Sequence, residues 1–353
     1  SSIWVPLSNL IFGADKTGTW SLFGLSSSQT LGVLGVIFVI LITFLSSKGM
    51  NSISKVASVG GIFVTSANVI LIVGALIVFF ANGFKAAQPI NLAQFTNSPN
   101  PAYGSILAVL GFLVFAIFAY GGLEAVGGLV DQTENANITF PRGIKISAIV
   151  IGVGYSLAIL MVGLFTNWQA VLSSPDVSMA NVAYVVIKNL GVQLGDVFGL
   201  SASAAEIMGV WFARYIGLAM FLALLGAFFT LIYSPLKQLI EGTPKEIWPE
   251  KWTKINDNGM PVNAMWIQCI AVVAIIIAAV LTGGKSSKLL DYLILMGNVA
   301  MTIPYMFLSG AFPAFKKKKH IEKPFVMYKS YKSSLIWSII VKFTIGFANL
   351  FTI

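Results

Sequence analysis

Phe115-Ala116-Ile117-Phe118-Ala119-Tyr120-Gly121-Gly122-Leu123-Glu124-Ala125-Val126-Gly127-Gly128 lies within residues 105–130, a run whose one charged residue is Glu124. Two glycine pairs flank that carboxylate. Glycine weakens a helix by about 1 kcal/mol relative to alanine, and a carboxylate at the middle of a membrane span costs about 2.5–3.5 kcal/mol on insertion scales. A segment that only had to cross lipid would carry neither. One reading is a broken helix whose freed backbone N–H and C=O groups hold a zwitterion or an ion, because irregular backbone persists at membrane depth only where it lines a cavity or is buried in protein. The other is close helix packing through the glycines, with Glu124 hydrogen-bonded to a neighbouring helix. From the residues alone the two stand level.

The rest of the chain sets this segment in a membrane. The 353 residues are 57% hydrophobic and 10% charged, with a mean hydropathy of +0.85, whereas soluble domains carry about 25% charged residues. A crossing helix needs about 20 mostly apolar residues. Eight such stretches occur, at roughly 30–46, 56–81, 105–130, 144–166, 207–233, 262–282, 289–312 and 334–353. The expected fold is all-α, a single multi-span membrane domain over 1–353. Residues 1–13 are apolar but too short to cross, and read as the tail of a further span.

Charge gives the orientation. Of the 22 Lys and Arg, 15 fall in or beside the alternate connections 47–55, 131–143, 234–261 and 313–333, which are therefore cytoplasmic, while Lys16, Lys85, Lys188, Lys285 and Lys288 lie on the other side. An odd number of spans would break this alternation. The net charge of +9 thus reports topology, and no nucleic-acid partner is expected. With one cysteine, Cys269, and one histidine, His320, no disulfide, thiolate-metal site or histidine triad can be assembled. No catalytic residue, metal or cofactor is expected. A membrane-embedded enzyme would need His, Asp, Ser or Cys clustered at membrane depth, and the spans offer no such group.

Gly122-Leu123-Glu124, Asp131, Glu134-Asn135 and Phe140-Pro141-Arg142-Gly143-Ile144 resemble the sixth-helix signature of the amino acid-polyamine-organocation (APC) permeases. Trp248-Pro249 and Asn256-Asp257-Asn258-Gly259-Met260-Pro261-Val262 are similar to that family's loop after its eighth helix. The likeness extends over essentially the whole chain and leans toward the bacterial glutamate/GABA antiporter branch. Ala136 stands where the family has proline, and Gly143 where it has alanine.

The resemblance implies an inverted-repeat helical bundle, incomplete here at both ends, with the eight spans corresponding to the family's fourth to eleventh helices. It implies a secondary amino-acid transporter in the bacterial inner membrane, working as an exchanger by alternating access, and a chain that is a piece lacking the first helices. The substrate is expected at the unwound segment Phe118, Ala119, Tyr120, Gly121, Gly122 and Leu123. Phe118 would cover the bound amino acid, and the backbone of Ala119 to Gly122 would receive its ammonium group. Glu124 is expected as a buried carboxylate, structural or proton-linked. Phe229 on the eighth family helix and Asn298 on the tenth are further substrate-facing candidates.

The bilayer and a small amino acid are the expected partners, and the oligomeric state is open. The competing reading is a scaffold or interaction subunit without a transport site. Arg214 shares a helix with Glu206 about two turns away, and snorkelling of its side chain to the interface is the simpler account of it.

Overall fold

A computed structural model describes residues 3–89, 104–111, 117, 122, 126–128, 130, 133–174, 176–178, 180–281, 286–323 and 325–352. Among them there is no strand. Eleven α-helices are numbered here in chain order: α1 Trp4–Phe12, α2 Ser27–Ser46, α3 Met50–Ala81, α4 Ile106–Gly111, α5 Ala136–Phe165, α6 Trp168–Ser173, α7 Val182–Val197, α8 Ala202–Glu241, α9 Val262–Leu281, α10 Ser286–Lys317 and α11 Tyr331–Thr352. Seven of these contain a stretch long and apolar enough to cross a membrane, namely α2, α3, α5, α8, α9, α10 and α11. Half of the eighth expected span, 105–130, lies outside the described residues. Burial confirms the apolar solvent: Ile62, Ile159, Leu160, Phe307 and Phe343 are each more than 60% exposed. Side chains of that kind in such number face lipid, not water.

The chain forms two compact units, Ser1–Ile90 with Val153–Gly283, and Asn91–Gly152 with Gly284–Ile353, and α5 contributes to both. In the first unit α8 is the spine. At 40 residues it is about 60 Å long, longer than the expected span 207–233. Small residues let three helices approach its backbone. A Cβ on Gly217 would stand 2.6 Å from the Leu10 nitrogen and 2.8 Å from the Pro6 carbonyl oxygen of α1. A Cβ on Gly209 would lie 2.8 Å from the Lys188 carbonyl oxygen and one on Gly195 2.7 Å from the Ala205 Cα, so α7 lies directly on α8. Further along, a Cβ on Gly226 would stand 2.7 Å from the Ala57 Cα, and one on Gly60 of α3 would stand 2.8 Å from the Ala223 Cα. Where lipid replaces water as the solvent, helices gain from such close packing rather than from apolar burial. Leu71, Ala75, Val78, Phe165, Val186, Ile187, Leu190 and Leu194 form the core where α3, α5 and α7 meet.

Asn256 joins two loops of this unit. Its side-chain nitrogen donates to the Ser47 carbonyl at 2.9 Å, across 209 positions of sequence, while its side-chain oxygen accepts from the backbone N–H groups of Asn258 and Met260. Met260 is fully buried. The α8–α9 loop is thereby tied to the α2–α3 turn, where Gly49, at φ 114°, leaves room for Asn258.

In the second unit α10 and α11 pair through polar contacts and small residues. The Thr302 hydroxyl reaches Asn349 Oδ1 at 3.0 Å and its own helix's Val299 carbonyl at 3.1 Å, sharing one proton between them. Ser338 donates to the Ser309 carbonyl, and Gly310 and Gly346 receive the side chains of Lys342 and Met306. α4 also lies against α11, with Gly111 beside the Phe351 carbonyl.

Candidate functional site

Residues 118–121 and 123–124 lie outside the described residues, and with them Phe118, Ala119, Tyr120, Gly121, Leu123 and Glu124. Gly122 is described. Its φ is +103°, far from the helical value near −63°, and it belongs to no helix. Only glycine adopts such a φ without strain. Gly122 is exposed, and a Cβ built on it meets no atom within 4 Å. On one side Ile117 is helical, and on the other 126–128 form a 3₁₀ turn with Gly128 buried. The chain then turns at Asn135, which has a φ of 49°. The Asn135 carbonyl accepts from the N–H groups of Ile138 and Thr139 as α5 begins. α5 starts eight residues before the expected span 144–166 and carries Pro141 in its second turn.

Phe229 belongs to the first unit. It sits on α8 at 6% exposure, one turn from the fully buried Tyr233, and its neighbour Thr230 donates back to the Gly226 carbonyl at 2.9 Å. Beside it, Phe228 meets Phe38 of α2 edge-on at 5.3 Å. Asn298 belongs to the second unit. It lies within α10, and its side chain falls outside what the structure describes. Thr302, one turn further on, is 1% exposed and is held by Asn349. Pro304 has no N–H to give the Ala300 carbonyl, so this stretch of α10 carries an interrupted ladder.

Glu206 pairs with Lys188 of α7, at 2.5 Å, rather than with Arg214. Sequence spacing on one helix cannot reveal that partner, because it comes from another helix. Nor did the sequence mark Asn349 or Ser338, whose roles exist only opposite Thr302 and Ser309. Lys237, 3% exposed near the C-terminal end of α8, has Glu241 at 4.0 Å. Tyr184 of α7, which lies outside the spanning segments, is pushed well above the ordinary phenol range, first by burial and then by the nearby Asp15 carboxylate.

Residues 2–353 match the family described as amino acid permease. The chain is 49% identical over 353 residues to the inner membrane transporter YjeM of Escherichia coli, covering 100% of this chain and 70% of that protein. It is 25% identical over 337 residues to the aspartate/glutamate permease AcaP of Lactococcus lactis, covering 93% of this chain and 63% of that one. It is also 25% identical over 233 residues to the lysine-specific permease LysP of Escherichia coli, covering 66% and 44% respectively.

Proposed function

The chain belongs to the amino acid permease family, and from that premise we propose that it exchanges amino acids across the bacterial inner membrane by alternating access about the segment 118–124. A multi-pass transporter of small amino-acid substrates, not an enzyme, is what the family and the relatives support. The observation that carries the finer reading is the backbone of Gly122, which departs from helical geometry in the middle of the stretch that bears the family signature.

The break suits a zwitterion. Helix carbonyls that lose their N–H partners present partial negative charge to an ammonium group, and a half-helix N-terminus presents N–H groups to a carboxylate. Backbone groups read only what all amino acids share. The relatives named for aspartate, glutamate and lysine differ in side chain and agree in those two groups, which supports a site of this kind. In this reading Phe118 covers the substrate, Ala119 to Leu123 hold it, Glu124 is a buried carboxylate, and Phe229 and Asn298 remain substrate-facing candidates, each on its own helix. The 1–353 chain acts as one membrane domain.

The test uses vesicles reconstituted with the full-length gene product. Uptake of labelled amino acid should accelerate when the vesicles are preloaded with unlabelled amino acid, and uptake indifferent to the internal pool would rule out exchange. Phe118→Ala should raise the KM with membrane insertion intact, because an aromatic lid supplies contact area to the ligand. Unchanged kinetics would remove Phe118 from the site.

A further inference from the structure

Arg214 is a guanidinium inside a membrane-spanning helix, and among the described residues no carboxylate pairs with it. Its Nε is shut off from solvent and has no hydrogen-bond partner. Glu206, the carboxylate on its own helix that spacing brings nearest, is taken by Lys188. The guanidinium lies over the Trp211 ring, whose centre is 5.0 Å from the guanidinium carbon. Ile207 and Trp211 are 59% and 61% exposed. Arg214, partly exposed, follows Trp211 by three residues and so borders the lipid-facing side of α8 that Ile207 and Trp211 mark.

The depth of this pair selects its ligand. Glu206 and Lys237 bound the uncharged part of α8 apart from Arg214 itself, so the midplane falls near residue 221 or 222. Arg214 is then about 11 Å from the midplane, against a hydrocarbon half-thickness of about 15 Å. Its long side chain brings the guanidinium up to the phosphate layer, and Trp211, one turn nearer the outside, sits where indole rings anchor to headgroups. A carboxylate or phosphate is what an unpaired guanidinium takes, with two parallel N–H···O bonds. At this level of the bilayer the abundant anion is a lipid phosphate.

We propose that Arg214 and Trp211 form a binding site for the phosphate of an anionic phospholipid in the outer leaflet, with Ile207 and the ring of Trp211 against the lipid chain. The site is built on α8 alone and does not depend on which amino acid is carried.

Native mass spectrometry of the purified protein, given equal amounts of phosphatidylglycerol and phosphatidylcholine, tests this. Wild type should retain phosphatidylglycerol at least about fivefold more than Arg214→Gln does, since one charge-assisted bidentate contact is lost. Arg214→Lys, which keeps the charge but not the fork, should fall between the two and stands in if the glutamine variant does not fold. Lys254→Gln, an exposed lysine of the α8–α9 loop, should behave as wild type. Equal retention by wild type and Arg214→Gln would overturn the proposal. So would glycerol 3-phosphate displacing the lipid at equal concentration, which would make the ligand a free phosphate. A dimer present in wild type and absent from Arg214→Gln would give the face to a second copy and overturn it equally.

Discussion

The Ser338 hydroxyl of α11 donates to the Ser309 carbonyl of α10 at 2.5 Å. That carbonyl lies four residues before Pro313, whose ring nitrogen has no hydrogen to return to it. A neighbouring helix therefore satisfies the acceptor that proline leaves open, where no water is at hand to do so. Thr302 and Asn349 add a second polar tie at the other end of the same pair.

Ser338→Ala should lower the unfolding free energy by about 0.5–1.5 kcal/mol, the range for interhelical hydrogen bonds in membranes. Ser338→Thr keeps the hydroxyl and should restore most of it. Thermal unfolding in detergent measures both, and equal melting of alanine variant and wild type would show the Ser309 carbonyl to be satisfied otherwise.

Gly217→Val should damage the fold, because the added carbon meets backbone atoms of Leu10 and Pro6 and backbone cannot rotate aside. Overpacking of this kind costs about 1–3 kcal/mol or more. Gly61→Ala on α3 points into open space and should be neutral. Monodispersity on size-exclusion chromatography separates the two outcomes.

Gly122→Ala should cost about 1–3 kcal/mol of local strain, since φ of +103° suits no other residue. Its effect should fall on transport more than on stability. A tenfold or greater loss of uptake with near-normal melting is expected. Wild-type uptake would show that the backbone at Gly122 can change without consequence.

Alkaline pH should weaken the first unit through Tyr184. Its folded pKa lies above the ordinary value of 10.0, so the folded state holds the phenol proton more tightly than the unfolded state. The stabilisation is complete below pH 10 and is lost as pH rises from there toward the folded value. The melting temperature of wild type should therefore fall more steeply above pH 10 than that of Tyr184→Phe, and parallel curves would mean that the phenol titrates normally.

Topology is open to direct labelling. Lys188→Cys should react with an impermeant thiol reagent in intact cells, and Lys318→Cys should react only after the membrane is opened. The reverse pattern would invert the orientation read from the distribution of lysine and arginine.

The spanning helices were legible because each must satisfy its own backbone hydrogen bonds in lipid, a requirement that writes itself into 20 or so consecutive residues. Their ends were less so. α8 runs from Ala202 to Glu241 against an expected 207–233, since a helix supported by neighbours such as α7 continues past the hydrocarbon edge. The 16-residue α7 is absent from the expected crossings, because it is shorter than the roughly 20 apolar residues a span needs. At the site, Gly122 stood out because a paired glycine beside a carboxylate is costly inside lipid, and that cost is local.

Sequence by itself determined that this protein crosses the membrane many times as helices, and where its charged connections alternate. Those properties follow from interactions between each segment and its solvent. Only the tertiary structure decided that Asn256 holds the Ser47 carbonyl, that Lys188 claims Glu206, and that Gly217 exists for the backbone of α1. Each of these depends on which of several available partners the packed chain brings within 3 Å, and that choice is made by all the helices together.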